Sequence, residues 1–127
     1  MDLFDELKDI VDYCCDKYNI PDIAVRRGKG QCSRAGWSRA KREFYIILCP
    51  YTVHCQNIYY AYADTLHEVS HIVAYCTSHE RQFNHSLHFR ETEVYLFADF
   101  DIIPTNYARA YWSAIKTTAG KTVYFDE

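Results

Sequence analysis

The 127-residue sequence lacks any apolar run near the ~18 residues that a membrane-spanning helix needs. Its acidic start, residues 1–6, lacks the basic residues and the apolar stretch of a secretion signal. Internal repeats and low-complexity segments are missing as well. These absences exclude a membrane span and a repeat protein. They predict a soluble, cytoplasmic chain that forms one domain over residues 1–127.

The six cysteines lack the CxxC spacing of a zinc ribbon. Cys14 and Cys15 are adjacent, and the other four are scattered along the chain. In a reducing compartment a free cysteine behaves as a small hydrophobic residue. We therefore expect free thiols instead of a disulfide framework.

Basic residues are unevenly distributed in a chain whose net charge is −3. Seven of the 14 Lys and Arg residues lie in residues 26–42, here called the basic segment, which contains no acidic residue. Such a segment could meet nucleic acid or an acidic partner. The acidic balance of the whole chain favours a simpler interpretation, a solvated loop.

Hydrophobic periodicity predicts an α+β fold. No glycine or proline lies between Pro50 and Pro104, which favours two long helices in that stretch. Helices are expected over residues 3–18, 57–76, 86–101 and 106–116, and strands over residues 23–25, 44–48 and 122–125.

The first long helix contains the motif His67-Glu68-Val69-Ser70-His71. On a helix His67 and His71 leave the same face one turn apart, so both can bind one zinc ion at ~2.0 Å. Glu68 is rotated ~100° from His67, which places its carboxylate beside the ion. There it can take a proton from zinc-bound water and pass it to a leaving amine. The motif predicts a zinc metallopeptidase with Glu68 as the general base.

A catalytic zinc ion needs a third protein ligand; the sequence favours Glu93, with His85 as the alternative. Glu93 falls within the apolar stripe of the second long helix, where an unpaired carboxylate is costly. His85, one turn before Phe89, lies on the same stripe if the helix extends that far back. The simpler interpretation places Glu93 in a buried salt bridge and makes His85 a hydrogen-bonding loop residue.

Further residues could support this site. Asp64 and Asp99 are candidates for orienting a zinc-bound histidine. Tyr107, Tyr111 or His88 could donate a hydrogen bond to the developing oxyanion. The strand over residues 44–48 could flank the cleft, where an extended substrate would add as a further strand, or it could be an ordinary buried strand.

The segment Glu91-Thr92-Glu93-Val94-Tyr95-Leu96-Phe97-Ala98, followed by Ile102-Ile103-Pro104, resembles the ExEAxxFAxxLLxP signature of ImmA/IrrE-type metallopeptidases. In that family the second Glu is the third zinc ligand, which the resemblance assigns to Glu93. Val94-Tyr95 stands where the family favours Ala-Asn. The run from Tyr59 to Glu68 is similar to the metallopeptidase domain of ArdC-like antirestriction proteins.

The run His85-Ser86-Leu87-His88-Phe89 instead resembles the SprT-like family, whose third ligand is a histidine followed four residues later by an aromatic residue. That resemblance assigns the third ligand to His85, although Ser86 replaces the usual glycine. All three resemblances imply a zincin-like fold, with a small sheet packed on the metal-bearing helix.

The resemblances also imply a substrate class, possible partners and a cellular location. ImmA/IrrE-type enzymes cut repressors, SprT-like enzymes cut proteins on DNA, and ArdC-like proteins counter restriction. They imply a protein or peptide substrate, nucleic acid near the basic segment, and a phage or other mobile-element origin with the host cytoplasm as location. The alternative is a non-catalytic zinc-binding interaction protein, such as an antirestriction or DNA-associated binding module. Four protein ligands would then fill the coordination shell of the zinc ion and leave no position for water.

Overall fold

A computed structural model describes residues 2–78, 83–104, 114–117 and 122–124. Helices and strands both occur within these ranges, so the predicted α+β class is confirmed. The helices are α1 (Phe4–Lys17), α2 (Pro50–Val53), α3 (Ile58–Thr77) and α4 (Leu87–Asp99). The strands are β1 (Ile23–Arg27), β2 (Arg34–Ser38), β3 (Glu43–Leu48), β4 (Ile102–Pro104), β5 (Ala114–Thr117) and β6 (Thr122–Tyr124).

The first sheet has the strand order β1-β3-β2, with β1 parallel and β2 antiparallel to β3. Phe44, Ile46 and Leu48 alternate along β3 and are buried in the core with side chains of α1 and α3. Because β3 is hydrogen-bonded on both sides, the prediction that residues 44–48 accept an extended substrate is wrong. The strand next to α3 at the edge of this sheet is β2.

The two long helices predicted in the glycine- and proline-free stretch are confirmed as α3 and α4. The Asn57 side chain caps α3 by accepting hydrogen bonds from the backbone N–H groups of Tyr59 and Tyr60 at 3.1 and 3.4 Å. Ser86 caps α4 by accepting from the N–H of Phe89 at 3.2 Å. These caps set the starting points of the two helices that carry the candidate site.

We expect Asn57→Ala to lower the free energy of unfolding by about 1 kcal/mol, because two N–H groups of the first turn of α3 lose their acceptor. Chemical denaturation followed by circular dichroism measures this loss. Gln56→Ala changes an exposed neighbour and is the matched control. An equal loss of stability in both variants would contradict a capping role.

Helix α1 lies against β1 and α3 through the apolar stripe that the sequence predicts. Leu7, Val11 and Cys14 on this stripe are fully buried. All six cysteines are free thiols, as predicted, and four of them are buried: Cys14, Cys15, Cys49 and Cys55. No described helix is long and apolar enough to cross a membrane.

The second sheet, in the order β4-β5-β6, is antiparallel throughout. The predicted helix over residues 106–116 is wrong at Ala114–Lys116, where β5 pairs with both neighbouring strands. Strand pairing there overrides the local helical pattern. Residues 106–113 lie outside the described residues. The predicted last strand is confirmed as β6.

Candidate metal centre

Three histidines converge at one point of the fold. His67 and His71 project from α3, and His85 lies just before α4. Each offers one ring nitrogen, and these three atoms all lie within 4.8 Å of one another. The Nε2 atoms of His67 and His85 are 3.3 Å apart. We call His67, His71 and His85 the histidine group; among the described residues, these three side chains could hold a metal ion.

One nitrogen–nitrogen distance in the histidine group fits a tetrahedral ion. Zinc with nitrogen ligands at ~2.0–2.1 Å holds neighbouring ligand atoms about 3.3–3.4 Å apart, which matches the spacing between His67 and His85. Nδ1 of His71 is buried without a hydrogen-bond partner among the described residues. Buried polar atoms without a partner are rare in proteins, so this ring has unused capacity to bind a ligand.

Phe89 on α4 packs behind all three imidazoles. Its ring stacks on His71 with centroids 4.3 Å apart and meets the rings of His67 and His85 edge-on, both at 5.1 Å. Phe89 is only 1% exposed. It therefore restricts the orientation of each imidazole, a role that the sequence analysis did not assign to it. The available signal was its spacing of four residues after His85.

Glu93 lies behind His67 and not within the histidine group. Its Oε2 atom is 2.6 Å from Nδ1 of His67, on the other side of the ring from the Nε2 atom that approaches His85. Both side chains are almost fully buried. A carboxylate that accepts a hydrogen bond from the second nitrogen of a metal-binding histidine fixes the tautomer and orientation of the ring. Of the two candidates for the third ligand, the arrangement favours His85.

Glu68 follows His67 on α3 and faces the same cleft as the histidines. It is 6% exposed. Burial raises the pKa of its carboxyl group to about 7, and the nearby Asp64 and Glu93 carboxylates act in the same direction against the opposing effect of His67. The side chain is thus a desolvated carboxyl group in the cleft that the three histidines line.

Burial and mutual repulsion also shift the pKa values of the imidazoles. Burial, followed by repulsion from His67 and His85, lowers the pKa of His71 to about 3. Burial and repulsion from His67 lower the pKa of His85. For His67, burial acts downward, but the hydrogen bond to Glu93 and the charges of Glu93, Glu68 and Asp64 together outweigh it and raise the pKa. Metal ions bind the neutral form of imidazole.

Asp64 lies one turn before His67 and joins three elements around the cleft. Its Oδ2 atom accepts hydrogen bonds from Ser33 Oγ and Thr52 Oγ1, each at 2.6 Å. Ser33 Oγ in turn accepts from the backbone N–H of Cys49 at 3.0 Å. Asp64 therefore connects α3 with the segment before β2 and with α2.

The remaining sequence candidates lie elsewhere. Asp99 binds Lys17 and Tyr18 at the C-terminal end of α1, so it does not orient a site histidine. His88 pairs with Thr77 through Nε2 and Oγ1, which are 2.7 Å apart, and is not among the cleft-lining residues. Tyr107 and Tyr111 lie outside the described residues.

The histidines open into a cleft of about 500 Å³ between α3 and the start of β2. The α3 wall carries Asp64, Glu68 and His71, and the opposite wall carries Arg34 and Ala35. Of the seven Lys and Arg residues in the basic segment, Arg34 is the one in this lining. Two others are already paired across the surface, Arg26 with Glu43 and Arg27 with Asp2.

Comparisons of the chain with models of known protein families, with curated proteins and with solved structures find no significant match. The resemblances to ImmA/IrrE-type, ArdC-like and SprT-like proteins therefore remain predictions from short motifs. The case for a function rests on the geometry of the histidines, Glu68 and Glu93.

Proposed function

We propose that this protein is a zinc metallopeptidase in which His67, His71 and His85 bind the metal ion and Glu68 is the general base. One observation carries the proposal: three imidazole nitrogens lie within 4.8 Å of one another on the wall of an open cleft that Glu68 also lines. This differs from the first sequence-based choice of ligands, because His85 replaces Glu93.

The donor set supports zinc and an open coordination position. Three imidazole ligands suit zinc, and catalytic zinc sites combine three protein ligands with a position for water or substrate. A structural site usually has four protein ligands, and the histidine group has three within the described ranges. When bound, zinc acts as a Lewis acid that polarises the scissile carbonyl and lowers the pKa of water.

Glu68 acts on the proton of the attacking water. Its carboxylate accepts this proton as the water attacks the peptide carbonyl, and later donates it to the nitrogen of the leaving amine. The reaction then yields a carboxylic acid and an amine, with Glu68 returned to its ionised form. Burial of Glu68 removes competing solvent from the carboxylate.

Glu93 is a positioning residue in this mechanism. With its carboxylate accepting from Nδ1–H of His67, the lone pair on Nε2 of His67 points toward His85. The residue therefore acts through His67 and does not contact the substrate. This role also accounts for a buried carboxylate in the apolar stripe of α4, since the hydrogen bond offsets the cost of burial.

We infer that an extended polypeptide binds in the cleft along β2. Strand β2 is an edge strand of the first sheet and lines the cleft through Arg34 and Ala35. An edge strand offers backbone N–H and C=O groups to which an extended peptide can add. Substrate bound along β2 would pass between this strand and α3, with one peptide bond beside Glu68.

Metal removal tests the proposal. We expect purified protein to contain about one zinc ion per chain and to cleave peptides from a proteome-derived library. A chelator such as 1,10-phenanthroline should abolish cleavage, and zinc added in slight excess should restore it. Mass spectrometry of the library identifies the products, and a non-chelating phenanthroline isomer is the control. Cleavage that persists after the metal has been removed would refute the proposal.

A further inference from the structure

A second cavity of about 660 Å³ lies beside the sheet. We call it the aromatic groove, because Trp37, Phe44 and Tyr75 contribute their rings to it. Asp22, Arg42, Glu43, Pro21 and Cys76 complete its lining. Glu43 is paired with Arg26 at 3.0 Å. The groove thus combines an aromatic surface with a mixed-charge rim.

The aromatic groove and the metal cleft share both walls. On β2, Ala35 lines the cleft and Trp37 lines the groove, and side chains two residues apart lie on the same face of a strand. On α3, His71 lines the cleft and Tyr75 lines the groove, and these two residues lie one helical turn apart on the same face. The two cavities therefore follow each other along one trough between β2 and α3.

Ring contacts continue from the groove into the cleft. The ring centroids of Trp37 and Phe44 are 4.8 Å apart, and those of Phe44 and Tyr75 are 5.7 Å apart. Tyr75 stacks on Phe83 at 4.5 Å, and Phe83 lines the metal cleft. Trp37 and Phe83 are 40% and 37% exposed. Two large apolar side chains thus present accessible surface along the trough.

We propose that the aromatic groove is a specificity subsite that binds a large apolar or aromatic side chain of the substrate. The inference rests on the proposed peptidase function and adds the substrate class. From Ala35 to Trp37 the strand advances ~6.6 Å, and from His71 to Tyr75 the helix advances ~6 Å. An extended peptide covers this distance in about two residues. The anchoring side chain then lies two or three residues from the cleaved bond, on one side of it.

Cleavage-site profiling tests this subsite. The zinc-loaded protein is incubated with a proteome-derived peptide library, and products are identified by mass spectrometry. We expect Phe, Tyr, Trp, Leu and Met to be enriched at one position, two or three residues from the cleaved bond. Trp37→Ala should lower the cleavage rate of such peptides about tenfold, with little change for peptides that lack the anchor. Tyr95→Ala removes an aromatic side chain that is 68% exposed and lies outside both cavities, and is the matched control.

The possible results separate the two proposals. Cleavage without side-chain preference at these positions, or a preference that Trp37→Ala leaves intact, overturns the subsite but not the peptidase. Failure of the zinc-loaded protein to cleave any peptide overturns both. A change from dimer to monomer on Trp37→Ala, with an unaltered cleavage profile, would mean that a second copy of the chain occupies the groove. If Trp37→Ala loses its fold by circular dichroism, Trp37→Gln replaces it in the same assay.

Discussion

Glu68→Gln is expected to lower kcat/KM for peptide cleavage by about 100- to 10,000-fold while leaving the zinc content near one ion per chain. The range is the usual contribution of a positioned general base. Glutamine keeps the size of the side chain but cannot accept the proton of water. Because Glu68 lies in the cleft beside the histidine group and is not a member of it, the metal should stay bound.

The measurement pairs cleavage rates on a peptide from the library with zinc quantification by plasma mass spectrometry. Glu91→Gln changes an exposed glutamate on α4 and should retain full activity. Full activity of Glu68→Gln would remove Glu68 from the mechanism. Loss of zinc in this variant would instead make Glu68 a metal ligand.

His85→Ala and Glu93→Ala should affect metal binding to different degrees. Removing His85 leaves two of three ligands, and we expect the variant to be purified without zinc and to be inactive. Removing Glu93 takes away only the hydrogen-bond acceptor of His67, which typically weakens metal affinity about 10- to 100-fold. Glu93→Ala should therefore regain zinc and activity when the free zinc concentration is raised.

Zinc titration in the presence of a competing chelator separates these outcomes. Glu93→Gln retains an oxygen that can accept from Nδ1–H of His67 and should show a smaller loss of affinity than Glu93→Ala. His88→Ala, three residues after His85, is the control, since His88 pairs with Thr77. If Glu93→Ala is instead purified without zinc and His85→Ala retains zinc, Glu93 is the third ligand.

Local sequence signals were sufficient to predict the two helices that carry the candidate site. The expected starts of these helices, residues 57 and 86, coincide with Asn57 and Ser86, whose side chains cap α3 and α4 in the structure. The face of α3 that carries His67 and His71 follows from helical geometry alone. These features depend on residues at most four positions apart, which is the range over which sequence patterns are informative.

Features that depend on distant parts of the chain were not predictable in the same way. Strand β2 was missed because its Ala, Gly and Ser residues are weak strand formers, and it exists through pairing with β3. The choice between His85 and Glu93 depends on how α4 packs against α3, because this packing places Glu93 behind His67. Helical spacing places both residues on one stripe but does not reveal which nitrogen of His67 each one approaches.

The location of His85 outside α3 couples metal binding to the conformation of the chain. His67 and His85 are 18 positions apart in the sequence, with the end of α3 and the connection to α4 between them. An ion bound by both residues would cross-link the two ends of this segment and close it into a loop, and the cross-link would be lost when the ion dissociates. Zinc that binds only this closed arrangement would stabilise the folded protein in proportion to RT ln(1 + [Zn]/Kd). The melting temperature of the protein would then rise with the free zinc concentration around it.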